Sequence, residues 1–207
     1  MKPRGKIMAI LSLLVGVLGL LTWQFVPLKA VFAISQLSDP ARLETLRERG
    51  ANPRLNKIVY WLDQTRHSAL SPETVIRAAQ LYNGTHEPRK SLVQAALLRN
   101  LKIADELGLL TAEGRQSLRR GHTALVTKGP YEGDPAEIDH IVPISLAPEL
   151  GNELANLEML PKSLNRRKSD RVGQRQLEVA EQFFQAGLMS RESLDRVRAK
   201  NAKTGKK

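Results

Sequence analysis

The chain contains no cysteine, which excludes disulfides, thiolate metal sites and cysteine nucleophiles together. Aromatic residues supply only 4% of it, so a core must be assembled mainly from Leu, Ile, Val and Ala. Acidic residues are also scarce, 21 against 32 basic ones, for a net charge of +11. That balance favours polyanionic partners such as nucleic acid or anionic lipid headgroups, although charge alone selects neither. At 207 residues there is room for one compact domain plus an appendage, not for two large domains.

The charge is not confined to one end. Residues 1–33 hold four basic residues and no acidic one, and the remaining 28 basic against 21 acidic residues still leave +7. Lys2, Arg4 and Lys6 precede an apolar run from Ile7 to Val26. A cationic start followed by such a run reads as an export signal. The run exceeds the ~7–15 residues of a usual signal core and approaches the roughly 20 that span a bilayer. The favoured reading is an uncleaved signal anchor with residues 34–207 outside the cytoplasm; the alternative is a secreted protein cleaved after Ala33.

Between residues 34 and 120 the punctuation predicts a bundle of short helices. Asp39-Pro40 opens one that Gly50 closes, and Asn52-Pro53 opens a second with Leu55, Ile58, Val59 and Leu62 on one stripe. Ser71-Pro72 starts a third, ending near Asn83-Gly84. A longer one follows Pro88 with Leu92, Ala95, Leu98 and Leu101, ending at Gly108, and Thr111 caps another to about Arg120. His67, His86 and His122 sit near breaks or helix ends with no ligand-type residues at useful sequence spacing, and read as surface or capping residues. The sequon Asn83-Gly-Thr85 is assigned no function. After Gly121 the pattern changes to an extended segment at 124–127, a turn-rich loop to Asp134, strands at 137–144 and 157–160, a helix from near Ser163, two further helices, and a frayed basic tail from Lys200.

The chemistry-bearing residues are concentrated in this last part. Glu137-Ile-Asp139-His140-Ile-Val-Pro143 is followed by Asn156-Leu157 and by Asn165-Arg166-Arg167-Lys168-Ser-Asp170. Hydrolysis of a phosphodiester needs a deprotonated water, stabilised phosphoryl oxygens and help for the departing 3′-oxygen. His140 is the one side chain of the segment that can be a neutral base near pH 7, and a partly exposed setting is expected for it. One carboxylate, Asp139, and one amide oxygen, Asn165, form a minimal set for a hard divalent cation, Mg²⁺ first and Mn²⁺ as the alternative. Neighbours on a strand point to opposite faces, so a strand end or a bulge must bring Asp139 and His140 to one site. Glu137 is read as a solvent-facing strand residue.

These elements, in this order, resemble the ββα-metal core of the HNH endonuclease family, including the HNH domain of RNA-guided CRISPR nucleases. Asp139, His140, Ile141, Pro143, Asn156, Leu157, Leu160, Asn165, Arg167 and Lys168 fall in register with its Asp-His-Ile-x-Pro, Asn-Leu and Asn-x-x-Lys pattern. The match covers residues 134–172, under a fifth of the chain. It implies a general base at His140, a supporting Asn156 that hydrogen-bonds loop backbone, metal ligation by Asp139 and Asn165, and phosphate contacts from Arg166, Arg167 and Lys168. Many relatives carry half of a zinc site where this chain has Pro161 and Leu164, so no structural zinc is expected and apolar packing must replace it. The fold class expected is α+β, mostly α: a membrane or signal segment (1–33), a helical accessory region (34–120), the nuclease core (121–172), and C-terminal helices with a basic tail (173–207). The function expected is a metal-dependent endonuclease on DNA or RNA, with DNA favoured and little sequence preference. The alternative is a membrane-anchored module that binds nucleic acid without cutting it. Residues 34–120 could also hold a protein partner.

Overall fold

The computed structural model describes residues 25–168 and 171–204, and they form a mostly helical structure carrying one two-stranded sheet. The expected membrane segment, apart from residues 25 and 26, lies outside the described residues. Among these no helix is long and apolar enough to cross a membrane. Residues 25–37 are helical (α1). Pro27, Ala30 and Ile34 are buried on one side of α1, and Phe25, Leu28 and Phe32 are exposed on the other. Asn83 ties this helix to the bundle, its Nδ2 donating to Ser35 O (3.3 Å) and to Ser38 Oγ (3.2 Å). A chain beginning at residue 34 would therefore lose part of its packed core.

Helix α2 (Pro40–Glu44) starts as expected, with Asp39 accepting from the Ala41 N–H at 3.0 Å, but stops well short of Gly50. Thr45 turns its hydroxyl back onto Arg42 O (2.9 Å), and residues 46–51 form a turn held from elsewhere in the molecule. Helices α3 (Asn52–Thr65), α4 (Pro72–Tyr82), α5 (Arg89–Glu106) and α6 (Ala112–Arg120) follow. Leu55, Ile58, Val59 and Leu62 of α3 are fully buried, each contributing up to about 1.5–3 kcal/mol of hydrophobic stabilisation. Ser71 and Thr111 cap α4 and α6 through Thr74 N (3.3 Å) and Gly114 N (3.0 Å). Gly121 ends α6 at φ 84°, a conformation that glycine adopts without a Cβ penalty. The predicted stripe of α5 is displaced: Val93, Ala96, Leu97, Asn100, Leu101 and Ala104 are buried, whereas Ala95 is exposed.

Strands β1 (Ala136–His140) and β2 (Leu157–Pro161) pair antiparallel without a bulge, from Ala136 opposite Pro161 to His140 opposite Leu157. Strand β2 is buried at every position except Leu160, and the charged Glu158 is among the buried residues. Arg175 Nη1 donates to its carboxylate at 3.1 Å, and Arg99 Nε lies 3.7 Å away. Helix α7 (Lys162–Lys168) begins directly after β2. Its joint is closed by hydrogen bonds rather than by apolar packing alone: Lys162 N–H donates to Pro135 O (3.0 Å) and Ser163 N–H to the Asp134 carboxylate (2.9 Å). Helices α8 (Gln174–Gln185) and α9 (Arg191–Thr204) finish the described chain, α9 continuing through most of the tail expected to fray. One hydrophobic core runs from Ala30 and Ile34 through α3–α6 to Leu157, Met159, Phe183 and Val197. The helical region and the strand-bearing region share it.

Candidate active site

A cavity of ≈ 280 Å³ opens where β1 ends, and Asp139, His140 and Asn165 all line it, with Ile138 and Pro143 as apolar walls. The register is regular up to His140, the last residue of β1, so the strand end, not a bulge, lets consecutive side chains reach one space. A larger cavity of ≈ 940 Å³ adjoins through Ile144 and Ser145, but Glu44, Glu48, Glu149 and Glu153 line it. Arg89 is there as well, paired with Glu44 and Glu153, but the balance of that lining is acidic, and the candidate residues Asp139, His140 and Asn165 belong to the smaller space.

His140 is only 6% exposed, contrary to the expectation of a partly exposed residue. Its Nε2 lies 2.9 Å from Gly151 O. A carbonyl oxygen can only accept, so Nε2 carries the proton and Nδ1 carries the lone pair. Burial lowers its pKa below the ordinary histidine value; the Gly151 carbonyl and Asp139 oppose that shift without reversing it, while Arg49 and Lys168 add to it. The imidazole is thus a neutral base in a fixed tautomer.

The turn after His140 is fastened by Asn156, which is fully buried. Its Oδ1 accepts from Val142 N–H (2.8 Å), and its Nδ2 donates to Val142 O (3.0 Å) and Leu150 O (3.4 Å). The Ile141 N–H meanwhile donates to Asn156 O at 2.8 Å. Asn156 therefore fastens the loop that follows His140, at Ile141, Val142 and Leu150, and does not itself line the cavity.

Asn165 donates from Nδ2 to Glu137 Oε2 at 3.0 Å, which turns its Oδ1 away from that partner. Glu137 is half-buried and holds Asn165, rather than facing solvent as expected. Arg166 and Arg167 are exposed on α7. Lys168 is not turned outward with them. Its ammonium pairs with Asp139 Oδ2 and donates to His140 O at 2.7 Å, both side chains of the pair being 18% exposed. The structure thus places a cation of the chain itself on the carboxylate expected to bind metal. A carboxylate and an amide oxygen on one cavity fit a hard cation that keeps several waters, provided Lys168 gives up Asp139 to it. Among the described residues no group of three or more His, Cys, Asp or Glu side chains could hold a metal ion.

Sequence reasoning missed Arg49, which reaches the cavity from the helical region. It is the non-glycine residue of the described chain with positive φ, at 61°. That conformation costs an L-residue on the order of 1–2 kcal/mol. Asn152 holds its turn, with Nδ2 donating to Leu46 O and Arg47 O (both 3.1 Å) and Oδ1 accepting from Ala51 N–H (3.0 Å). No local pattern announces a contact between residues about a hundred positions apart. His67, His86 and His122 are all exposed and away from the cavity, as the sequence suggested. No protein-family model, curated protein or solved structure matches the chain.

Proposed function

We propose that this protein is a metal-dependent endonuclease of the HNH type, hydrolysing phosphodiester bonds in nucleic acid, DNA in the first place, with little sequence preference. The observation that carries the reading is the convergence of Asp139, His140 and Asn165 on one cavity, with His140 Nε2 committed to Gly151 O. Nδ1 of His140 takes a proton from a water whose oxygen forms the new bond to phosphorus as the bond to the 3′-oxygen breaks. The 3′-oxygen departs with a proton from solvent. Asp139 and Asn165 Oδ1 would hold a divalent cation, Mg²⁺ or Mn²⁺, which supplies charge stabilisation at the phosphoryl and leaving oxygens. Asn156 keeps the base in place through the turn at Val142. Arg166 and Arg167, exposed at the start of the basic run, meet backbone phosphates.

The apolar run 7–26 anchors the protein, with the site outside the cytoplasm. In support, the outer side of α1 carries Phe25, Leu28 and Phe32, with Tyr82 set edge-on against Phe32 at 6.5 Å. Apolar residues so placed, next to where the run ends, suit a lipid interface. A second reading, a nucleic-acid-binding module without catalysis, draws support from Lys168, because Asp139 already has a cationic partner.

The deciding experiment is nicking of supercoiled plasmid by the full chain in detergent, with Mg²⁺, with Mn²⁺ and with EDTA. His140→Ala and His140→Asn run alongside with melting curves, because the residue is buried. Nicking should require metal and disappear in both folded variants. Tight binding without nicking would transfer the assignment to the binding module, and nicking that survives in both variants would remove His140 as the base.

A further inference from the structure

Arg49 comes from the turn between α2 and α3, yet its side chain shares the cavity with Asp139, His140 and Asn165. Three features of its setting point the same way. First, its φ of 61° is one that glycine or asparagine adopts more readily, and the adjacent residue is Gly50. An arginine held in strained backbone beside a cavity is a reason to ask what the side chain does. Second, the turn is held from the strand-bearing region: Asn152 makes three hydrogen bonds to residues 46, 47 and 51. Asn152 directly follows Gly151, whose carbonyl fixes His140 Nε2. Adjacent residues of one loop thus position both the base and the arginine. Third, the guanidinium is not neutralised in a buried pair. Its partner is Glu48 at 3.5 Å, with the two side chains 64% and 68% exposed, an arrangement that water and salt weaken.

A planar, permanently charged group with a fork of N–H donors at a cavity mouth is suited to a phosphodiester, whose two non-bridging oxygens can accept from it together. We propose that Arg49 forms a phosphate subsite of this cavity, binding the non-bridging oxygens of a nucleic-acid phosphodiester presented to His140. The inference rests on the nuclease reading for its substrate and deepens it. It makes the helical region part of the substrate site, so that residues 34–120 are not merely an accessory.

The test compares the full-length wild type with Arg49→Gly and Arg49→Lys. Arg49→Gly removes the cation while relieving the backbone, so its melting temperature should stay level or rise. Binding of a fluorescent DNA duplex is followed in EDTA across a salt series, and cleavage of the same duplex with Mg²⁺ is followed separately. One lost phosphate contact should reduce the slope of log K against log salt by about 0.9. Arg49→Gly should show that reduction and a tenfold or greater fall in kcat/KM, and Arg49→Lys should keep the wild-type slope. An unchanged slope and kcat/KM in Arg49→Gly overturns the subsite. So does a loss that accompanies a lowered melting temperature and is not restored by lysine. If the wild type binds but never cuts, the nuclease reading fails alone and the salt slopes still decide Arg49. If it neither binds nor cuts, both fall.

Discussion

His140 shows at the scale of one residue how burial prepares chemistry. With Nε2 tied to Gly151 and the ring 6% exposed, the cationic form loses hydration that no partner fully replaces. The folded-state pKa therefore lies below the unfolded one, and the folded protein binds fewer protons as the medium is acidified. Stability from keeping the ring neutral is complete above the unfolded value, about 6.5, and is lost as pH falls towards the depressed folded value. Melting temperatures from pH 7.5 to 5 should decline more steeply for the wild type than for His140→Asn. Superimposable declines would show that the ring is not held neutral. The same shift should displace the acidic limb of the cleavage profile below the ordinary histidine range. Asn165, by contrast, owes its placement to Glu137, a residue that looked like surface in the sequence.

At the scale of elements, the two-stranded sheet cannot stand alone, because such a pair is marginal in water. Helix α5 supplies what a third strand would. Asn100, fully buried, donates from Nδ2 to Leu157 O at 2.9 Å and accepts from Met159 N–H at 2.8 Å. Its amide thus satisfies backbone groups of β2 that β1 does not use, and it also donates to Ala96 O at 2.9 Å within its own helix. Asn100→Leu should leave the buried Met159 N–H without a partner and Leu157 O with only the 3.4 Å bond from Arg99 Nη2, and cost about 1–3 kcal/mol in chemical denaturation. A loss below about 0.5 kcal/mol would mean that water or a neighbour replaces the amide. The helix register explains why the sequence misplaced the buried face of α5. Leu92, Ala95 and Leu98 give an apolar stripe, but the helix must turn Asn100 towards β2, and the buried face rotates with it. Helix α2 ends early for a similar reason, its continuation being drawn into the turn that Asn152 holds.

On the scale of the molecule, the core is continuous from α1 to α9, and β2 lies on α5 within it. A fragment of residues 121–207 would expose Leu157, Met159 and their neighbours and lose Asn100 and Arg99, which hold the β2 backbone and Glu158. It should fail to fold, giving no cooperative thermal transition by circular dichroism and no metal-dependent cleavage. A fragment that folds and cuts at the full-length rate would make the helical region dispensable and would remove Arg49 from the site as well. The acidic cavity lined by Glu44, Glu48, Glu149 and Glu153 lies between the two regions, beside the smaller one. On the proposed nuclease reading, nucleic acid would meet an unfavourable surface on one flank and would turn to the exposed Arg166 and Arg167 on α7.

What the sequence determined by itself is local in its physics. Caps at Asp39, Ser71 and Thr111, the left-handed stop at Gly121 and the stripe of α3 specify where helices begin, end and bury themselves. The order strand, loop, strand, helix was legible because it is written in neighbouring residues, and so was the nearness of Asp139, His140 and Asn165, with Asn156 fastening the loop behind them. Tertiary structure alone decided everything that depends on long-range approach. It placed Lys168 on Asp139, Glu137 under Asn165 and Gly151 on the His140 ring, and it brought Arg49 into the cavity through Asn152. Those partners are set by how a single core closes over the sheet, and no spacing in the chain encodes where a side chain will find its opposite charge once it is buried.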